Sequence, residues 1–415
     1  MINSALHAFV LLIWLILTIP LNVLAQHHGC TDSAAVNFSP AAMHNNGNCR
    51  YPVTLYNPTV AFELPNEISE NSGLIMMNDR LWTFNDSGGL PVLYAVDTSK
   101  RTVVQRIKIV NATNTDWEDI TLDSTYIYIG DFGNNRGSRK DLKIYRITRA
   151  GVPVDGDAEV DAEIIAFSYP EQLSFERSRS HNFDCEAMIA AGDSLYLFTK
   201  NRGDGQTVLY SLPKTPGIWQ AKKLATFNSR GLITGADYNP VKKEIVLTGY
   251  TNETYMPFVW LLYGFENQAF FSANKRRIDL LNLITTQIEA ITYLDDHRVI
   301  ISAETSPSFK ARAFYLDPSV WTGADAHAGR RRKSGELNLY MSENDPDILT
   351  VEWPQNWKGE GRLEIFDQNN SRVFSSLEEV KAATVSVNLK GLAAGVYNLN
   401  LLSKKKRYSA AFVKQ

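Results

Sequence analysis

The sequence predicts an all-β chain whose main part is a repeat, and three observations lead there. A short motif recurs five times, beginning at Ser72-Gly73-Leu74, Glu118-Asp119-Ile120, Glu186-Ala187-Met188, Gly235-Ala236-Asp237 and Glu289-Ala290-Ile291. With Gly73, Asp119, Ala187, Ala236 and Ala290 as anchors, a short apolar run lies nine residues on in every copy, at Trp82, Tyr128, Tyr196, Ile245 and Val299. Each unit of roughly fifty residues then carries up to four strand-like segments separated by turn signals. Several strands per repeat, repeated around a fixed period, is the pattern of a β-propeller. Five anchors imply five blades, with six as the alternative if one degenerate copy escapes the pattern, and a small C-terminal β-sandwich follows.

The blades are read in order. The first takes 73–75, 81–84, 92–96 and 103–107, and the second 126–129, 142–146 and 162–167. The third takes 195–198, 208–212 and 223–227, and the fourth and fifth continue through 244–247, 258–262, 298–302 and 313–316. The segment Thr59-Val60-Ala61-Phe62-Glu63-Leu64 precedes the first motif and has no repeat of its own. It is expected to supply the outer strand of the last blade, which joins the two ends and covers an edge.

At 415 residues the chain exceeds one ordinary domain. The expected divisions are a signal peptide over 1–25, a stapled module over 26–56, the propeller over 57–320, a linker over 321–334 and the sandwich over 335–415. A net charge of −3 excludes a generally basic, nucleic-acid-binding chain. The one basic run, Arg330-Arg331-Arg332-Lys333, follows small residues and reads as solvated linker. An apolar core over 9–23 ends in Val23-Leu24-Ala25, a signal-peptidase pattern with cleavage before Gln26. The mature chain is then exported, without a transmembrane helix, to the outer cell surface or the medium. In an oxidising compartment Cys30 and Cys49 can pair, which contributes roughly 3 kcal/mol for a loop of that size. Cys185 reads as a buried, inert thiol.

The segment 29–52, from Gly29-Cys30-Thr31-Asp32 to Asn48-Cys49-Arg50-Tyr51-Pro52, resembles the short Cys-Thr-Asp modules of bacterial surface proteins. That resemblance implies calcium-stabilised turns, but Asn45-Asn46 stand where those modules carry two aspartates, which removes two hard ligands. The repeats, above all Trp117-Glu118-Asp119-Ile120 with Gly130-Asp131-Phe132-Gly133-Asn134-Asn135, resemble the bacterial propeller group that includes the esterase-like phytases and NHL-type propellers. At the other end, Leu392-Ala393-Ala394-Gly395-Val396-Tyr397 and Phe412-Val413-Lys414 resemble the C-terminal sorting domain of the type IX secretion system. That likeness implies the type IX export machinery as a partner.

The repeat also carries a chemical argument. Glu118, Glu186 and Glu289 hold the position before the anchor in three copies, and Ser72 and Gly235 hold it in the others. Equivalent positions of a propeller share a ring about its axis, so these carboxylates are expected to converge at one mouth. A second tier follows the second strand at Asp86, Asp131, Lys200 and Glu304. Converging carboxylates need a cation, a basic partner or raised pKa values. Calcium would satisfy Glu118, Glu186 and Glu289 with hard oxygens, and Lys200, Arg202 or Arg136 would neutralise them instead. The leading function is a binding module for a polar ligand or partner. The alternative is a metal-dependent hydrolase of the phosphoesterase kind, with His181 as candidate base. The sequence carries no nucleophile elbow, zinc-spaced histidine pair, P-loop or dinucleotide fingerprint.

Overall fold

A computed structural model describes residues 27–283, 287–307, 309–322, 337–342, 345–354, 357–403 and 406–415. The expected signal peptide and nearly all of the expected linker lie outside the described residues. The described chain is almost entirely β, in eight sheets. No helix among the described residues is long and apolar enough to cross a membrane.

Five of the sheets follow the repeat. Each places four strands side by side in antiparallel order, starting from Asn71–Met77, Trp117–Leu122, Cys185–Ala191, Leu232–Asn239 and Ile288–Tyr293. Alternation of large apolar with small or polar residues lets each strand bury both faces between neighbouring sheets. These first strands are neighbours in cyclic order, and the fifth packs against the first. The fifth sheet has three strands of its own and takes Thr59–Glu63 as its outer strand, paired antiparallel to Arg312–Leu316.

An apolar core fills the gap between each adjacent pair of sheets. Trp82 and Phe84 of the first sheet meet Trp117 and Tyr145 of the second, with the Phe84 and Trp117 rings edge to face at 5.4 Å. Tyr128 and Phe132 meet Leu197 and Tyr210, and Phe198 meets Leu247 and Phe258. Val259 and Ile278 meet Ile291 and Phe314, and Phe62 and Ile300 meet Leu74 and Leu81. Burying a side chain of this size contributes about 1.5–3 kcal/mol, so these layers hold neighbouring sheets together. The first strands lie close because small residues face the next sheet. At Gly73, with φ at +60°, a Cβ would stand 2.9 Å from the Ile120 nitrogen.

The sequence reading missed an edge device. Ala158–Val160 leaves the second repeat to pair in parallel with Thr102–Ile109 of the first sheet. Gly217–Gln220 leaves the third repeat for Glu163–Ser168 of the second, and Leu55–Tyr56 adds to Asn274–Leu280 of the fourth. Outer edges that would template aggregation are thereby covered by neighbouring chain.

Cys30 and Cys49 form a disulfide. The module they close sits on the fourth sheet, where Asp32 Oδ2 accepts the Tyr51 and Tyr263 hydroxyls at 2.5 and 2.7 Å. Asn45 bonds Asn274 at 2.7 Å, and Lys275 donates to the Gly47 carbonyl at 2.8 Å. The carboxylate of Asp32 thus serves docking. At the far end, a three-stranded and a four-stranded sheet share one core around Leu339, Val351, Leu363, Ile365, Leu399 and Phe412.

Candidate functional site

The conserved-spacing motif works as a β-bulge. Glu118, Glu186 and Glu289 each fall at a register shift, where the first strand has one residue more than its partner. A bulge re-aims a side chain out of the ordinary alternation, which is why these glutamates leave the inter-sheet cores. In the fourth sheet the shift falls at Thr234, so Thr234 rather than Gly235 is the equivalent residue. The reason is turn length: Asn239 pairs Glu244 there, whereas Ala191 pairs Ser194 in the third sheet. Counting back from Ile245 across the longer turn misplaces the motif by one residue. In the first sheet the shift lies between Ser72 and Ile75. Ser72 and Thr234 use their hydroxyls to bond the Glu118 and Ile288 carbonyls of the next sheet, at 2.6 and 2.5 Å.

Two further residues place the motif. Asp119 Oδ2 accepts from the Met188 N–H at 2.7 Å, and Asp237 Oδ2 accepts from the Tyr293 N–H at 2.8 Å. These carboxylates, Asp119 buried and Asp237 half-buried, tie one first strand to the next, so the Asp of Glu118-Asp119 is structural.

Glu118 and Glu186 come together, joined by Asp116 and Asp184, which the expected set did not include, whereas Glu289 belongs to neither carboxylate group. One oxygen each of Asp86, Asp116 and Glu118 lie within 4.8 Å of one another, and so do those of Glu118, Asp184 and Glu186. Glu118 belongs to both groups. Asp116 precedes the second sheet by one residue and Asp184 the third by one; comparison of Asp116-Trp117-Glu118 with Asp184-Cys185-Glu186 was the signal that could have found them.

The two groups differ in neutralisation. Lys200, almost fully buried, donates to Glu186 Oε2. Arg202 lies 3.6 Å from Glu186 and 3.3 Å from Asp184, and it also donates to Asn135 at 2.6 Å. Asp184 further accepts the Asn134 N–H at 2.6 Å. Among the described residues, neither the Glu118 nor the Asp116 carboxylate accepts a hydrogen bond or forms an ion pair, and Asp86 takes only the Ser87 N–H. Glu118 is nonetheless only 5% exposed.

The charges respond accordingly. Burial, then repulsion from Glu186, Asp86 and Asp116, pushes Glu118 well above the usual carboxylate range. Burial and Asp116 raise Asp86 to about 7, and burial and Asp184 raise Asp116 to about 6. Burial would lower Lys200, but the Glu186 carboxylate outweighs it and raises the lysine instead.

The remaining expected residues are placed as follows. Glu289 accepts from Gln287 Nε2 at 2.9 Å. Glu304 is half-buried and raised to about 8 by burial, Glu289 and Asp86. Asp131 is fully buried and ion-paired to Arg139 at 2.9 Å and Lys143 at 3.4 Å, which removes it as a ligand. Arg136 is exposed, and Arg139, which was not among the expected cations, pairs with Asp131. His181 Nδ1 accepts from the Phe183 N–H at 3.2 Å and its ring packs on Gly137.

No family model matches the chain, and no curated protein matches it. Among solved structures, an exo-β-1,3-galactanase from Phanerochaete chrysosporium aligns over 86% of this chain and 98% of its own, at 9% identity and a TM-score of 0.41. A bifunctional GH43-CE protein of Bacteroides eggerthii aligns over 88% and 57%, at 11% identity and a TM-score of 0.36. A DUF3244 family protein with an immunoglobulin-like β-sandwich fold from Bacteroides vulgatus aligns over 21% and 92%, at 17% identity and a TM-score of 0.18. Likeness at this level carries no statement about activity.

Proposed function

We propose that the five repeat sheets are the blades of a five-bladed β-propeller, closed by Thr59–Glu63, and that the protein is an exported binding module with an acid-lined mouth for a cationic ligand. Cyclic contact of the five first strands and one core per adjacent pair support five blades over six. The observation that carries the binding reading is Glu118, a buried carboxylate without a protein partner, aimed at Asp86, Asp116, Asp184 and Glu186. A buried polar group without a partner is costly in a folded protein unless something outside the chain answers it. The hydrolase alternative gains nothing here, because Lys200 and Arg202 are engaged by carboxylates and so do not form a phosphate clamp.

A thermal-shift panel of calcium, magnesium, spermidine and a lysine-rich peptide tests the binding reading. At least one cation should raise the melting temperature of the wild type and have no effect on Glu118→Gln. Indifference to all of them overturns it.

The two C-terminal sheets are read as a β-sandwich sorting domain on Leu392 to Tyr397 and Phe412-Val413-Lys414, which makes the address type IX export to the cell surface or medium. Deleting 335–415 should leave the protein in the periplasm; normal surface display of the truncation rules the sorting role out.

A further inference from the structure

We infer that the acid mouth holds a single divalent calcium ion, on Asp86, Asp116 and Glu118. This rests on the binding reading above and names its ligand. Three observations select calcium and this half of the site. The first is the donor set: three carboxylates with no histidine or thiol among them favour a hard cation over zinc or copper. The second is the number of carboxylates. Calcium takes about six to eight oxygens and accepts several protein carboxylates, whereas magnesium usually keeps several waters and binds through about one or two carboxylates. Asp86, Asp116 and Glu118 offer three from one group.

The third is the space around Glu118. Gly133 leaves room for these carboxylates, since a Cβ there would stand 2.6 Å from Asp116 Cγ and would collide with Glu118 Oε1. A glutamate only 5% exposed, without a protein partner and kept clear by a glycine, is a ligand position. The other half of the site is already answered within the chain. Lys200 and Arg202 take Glu186 and Asp184, so the stoichiometry is one ion and not two.

Calorimetric titration of CaCl2 into the EDTA-stripped full chain tests this, with melting curves in parallel. The expected result is one calcium per chain and a rise in melting temperature. Asp86→Asn and Asp116→Asn should each weaken binding by roughly tenfold or more, since one lost ligand is worth at least about 1.4 kcal/mol. Glu360→Gln, exposed on the C-terminal four-stranded sheet, should bind within about threefold of wild type. Both Asn variants relieve repulsion, so without calcium they should melt no lower than the stripped wild type, which separates lost binding from lost folding. Calcium binding that survives in both variants overturns the assignment and places the ion elsewhere. If calcium gives no heat while spermidine or the lysine-rich peptide stabilises the wild type but not Glu118→Gln, the calcium assignment fails and the binding mouth stands. If no cation acts, both fail.

Discussion

Gly133 lies against the Asp116 and Glu118 carboxylates so closely that a methyl group has no place between them; its Cβ would stand 2.6 Å from Asp116 Cγ. Gly133→Ala should therefore cost about 1–3 kcal/mol by overpacking, and should abolish any stabilisation by cations. Chemical denaturation with and without added calcium measures both effects. A stable variant with an unchanged calcium response would show that the carboxylates are not held where the structure puts them.

Lys200 and Glu186 form a buried pair, and removal of the lysine leaves Glu186 only the more distant Arg202, at 3.6 Å. Lys200→Met should destabilise by about 3–5 kcal/mol, whereas exchanging both residues for Met should recover most of the loss. A double-mutant cycle by denaturant unfolding reads the difference. Additive losses would mean that the two side chains do not interact.

Loss of stability in acid is expected at a different place. Burial would raise Asp123, but Lys214 at 2.8 Å, the Thr125 and Tyr126 N–H groups and the Tyr128 hydroxyl outweigh it and hold it down at about 2. A depressed carboxylate contributes stability that is complete above its unfolded pKa of about 3.9 and is lost as pH falls through its folded value. Solvent reaches this group, so roughly 1 kcal/mol is expected after screening. Asp123→Asn should flatten the stability profile between about pH 4 and 2 relative to wild type, measured by urea midpoints.

The N-terminal module should open without the rest of the chain. Asp32 ties it to the fourth sheet through Tyr263 and is held within the module by Tyr51. Tyr263→Phe removes one hydrogen bond to a charged group, worth about 1.5–3 kcal/mol. Hydrogen exchange should then speed up for amides of 28–50 and remain unchanged in the five repeat sheets. Uniform acceleration across the chain would make the module part of the global fold.

How much of this was legible depended on whether a feature is local. Strand segments and the pairing of Cys30 with Cys49 follow from side-chain pattern and short loops. Glu118, Glu186 and Glu289 were visible because a bulge occupies the same register in each sheet. Thr234 was misplaced because a turn of different length breaks the count without breaking the fold. Asp116 and Asp184 sit just outside the strands, where apolar periodicity gives no signal. The pairing of Arg139 with Asp131 was not legible, because the path of a loop decides which guanidinium returns to that carboxylate. The parallel edge strands at Ala158–Val160 and Gly217–Gln220 involve pairing with a neighbouring repeat, which no single repeat reveals.

The most direct test of the acid mouth is a crystal structure of the full chain grown with calcium, with anomalous data that distinguish the ion from water. One anomalous peak is expected, with Asp86, Asp116 and Glu118 as ligands at about 2.3–2.6 Å, and Lys200 still on Glu186. A peak only at the N-terminal module, or none within reach of Glu118, would contradict the assignment.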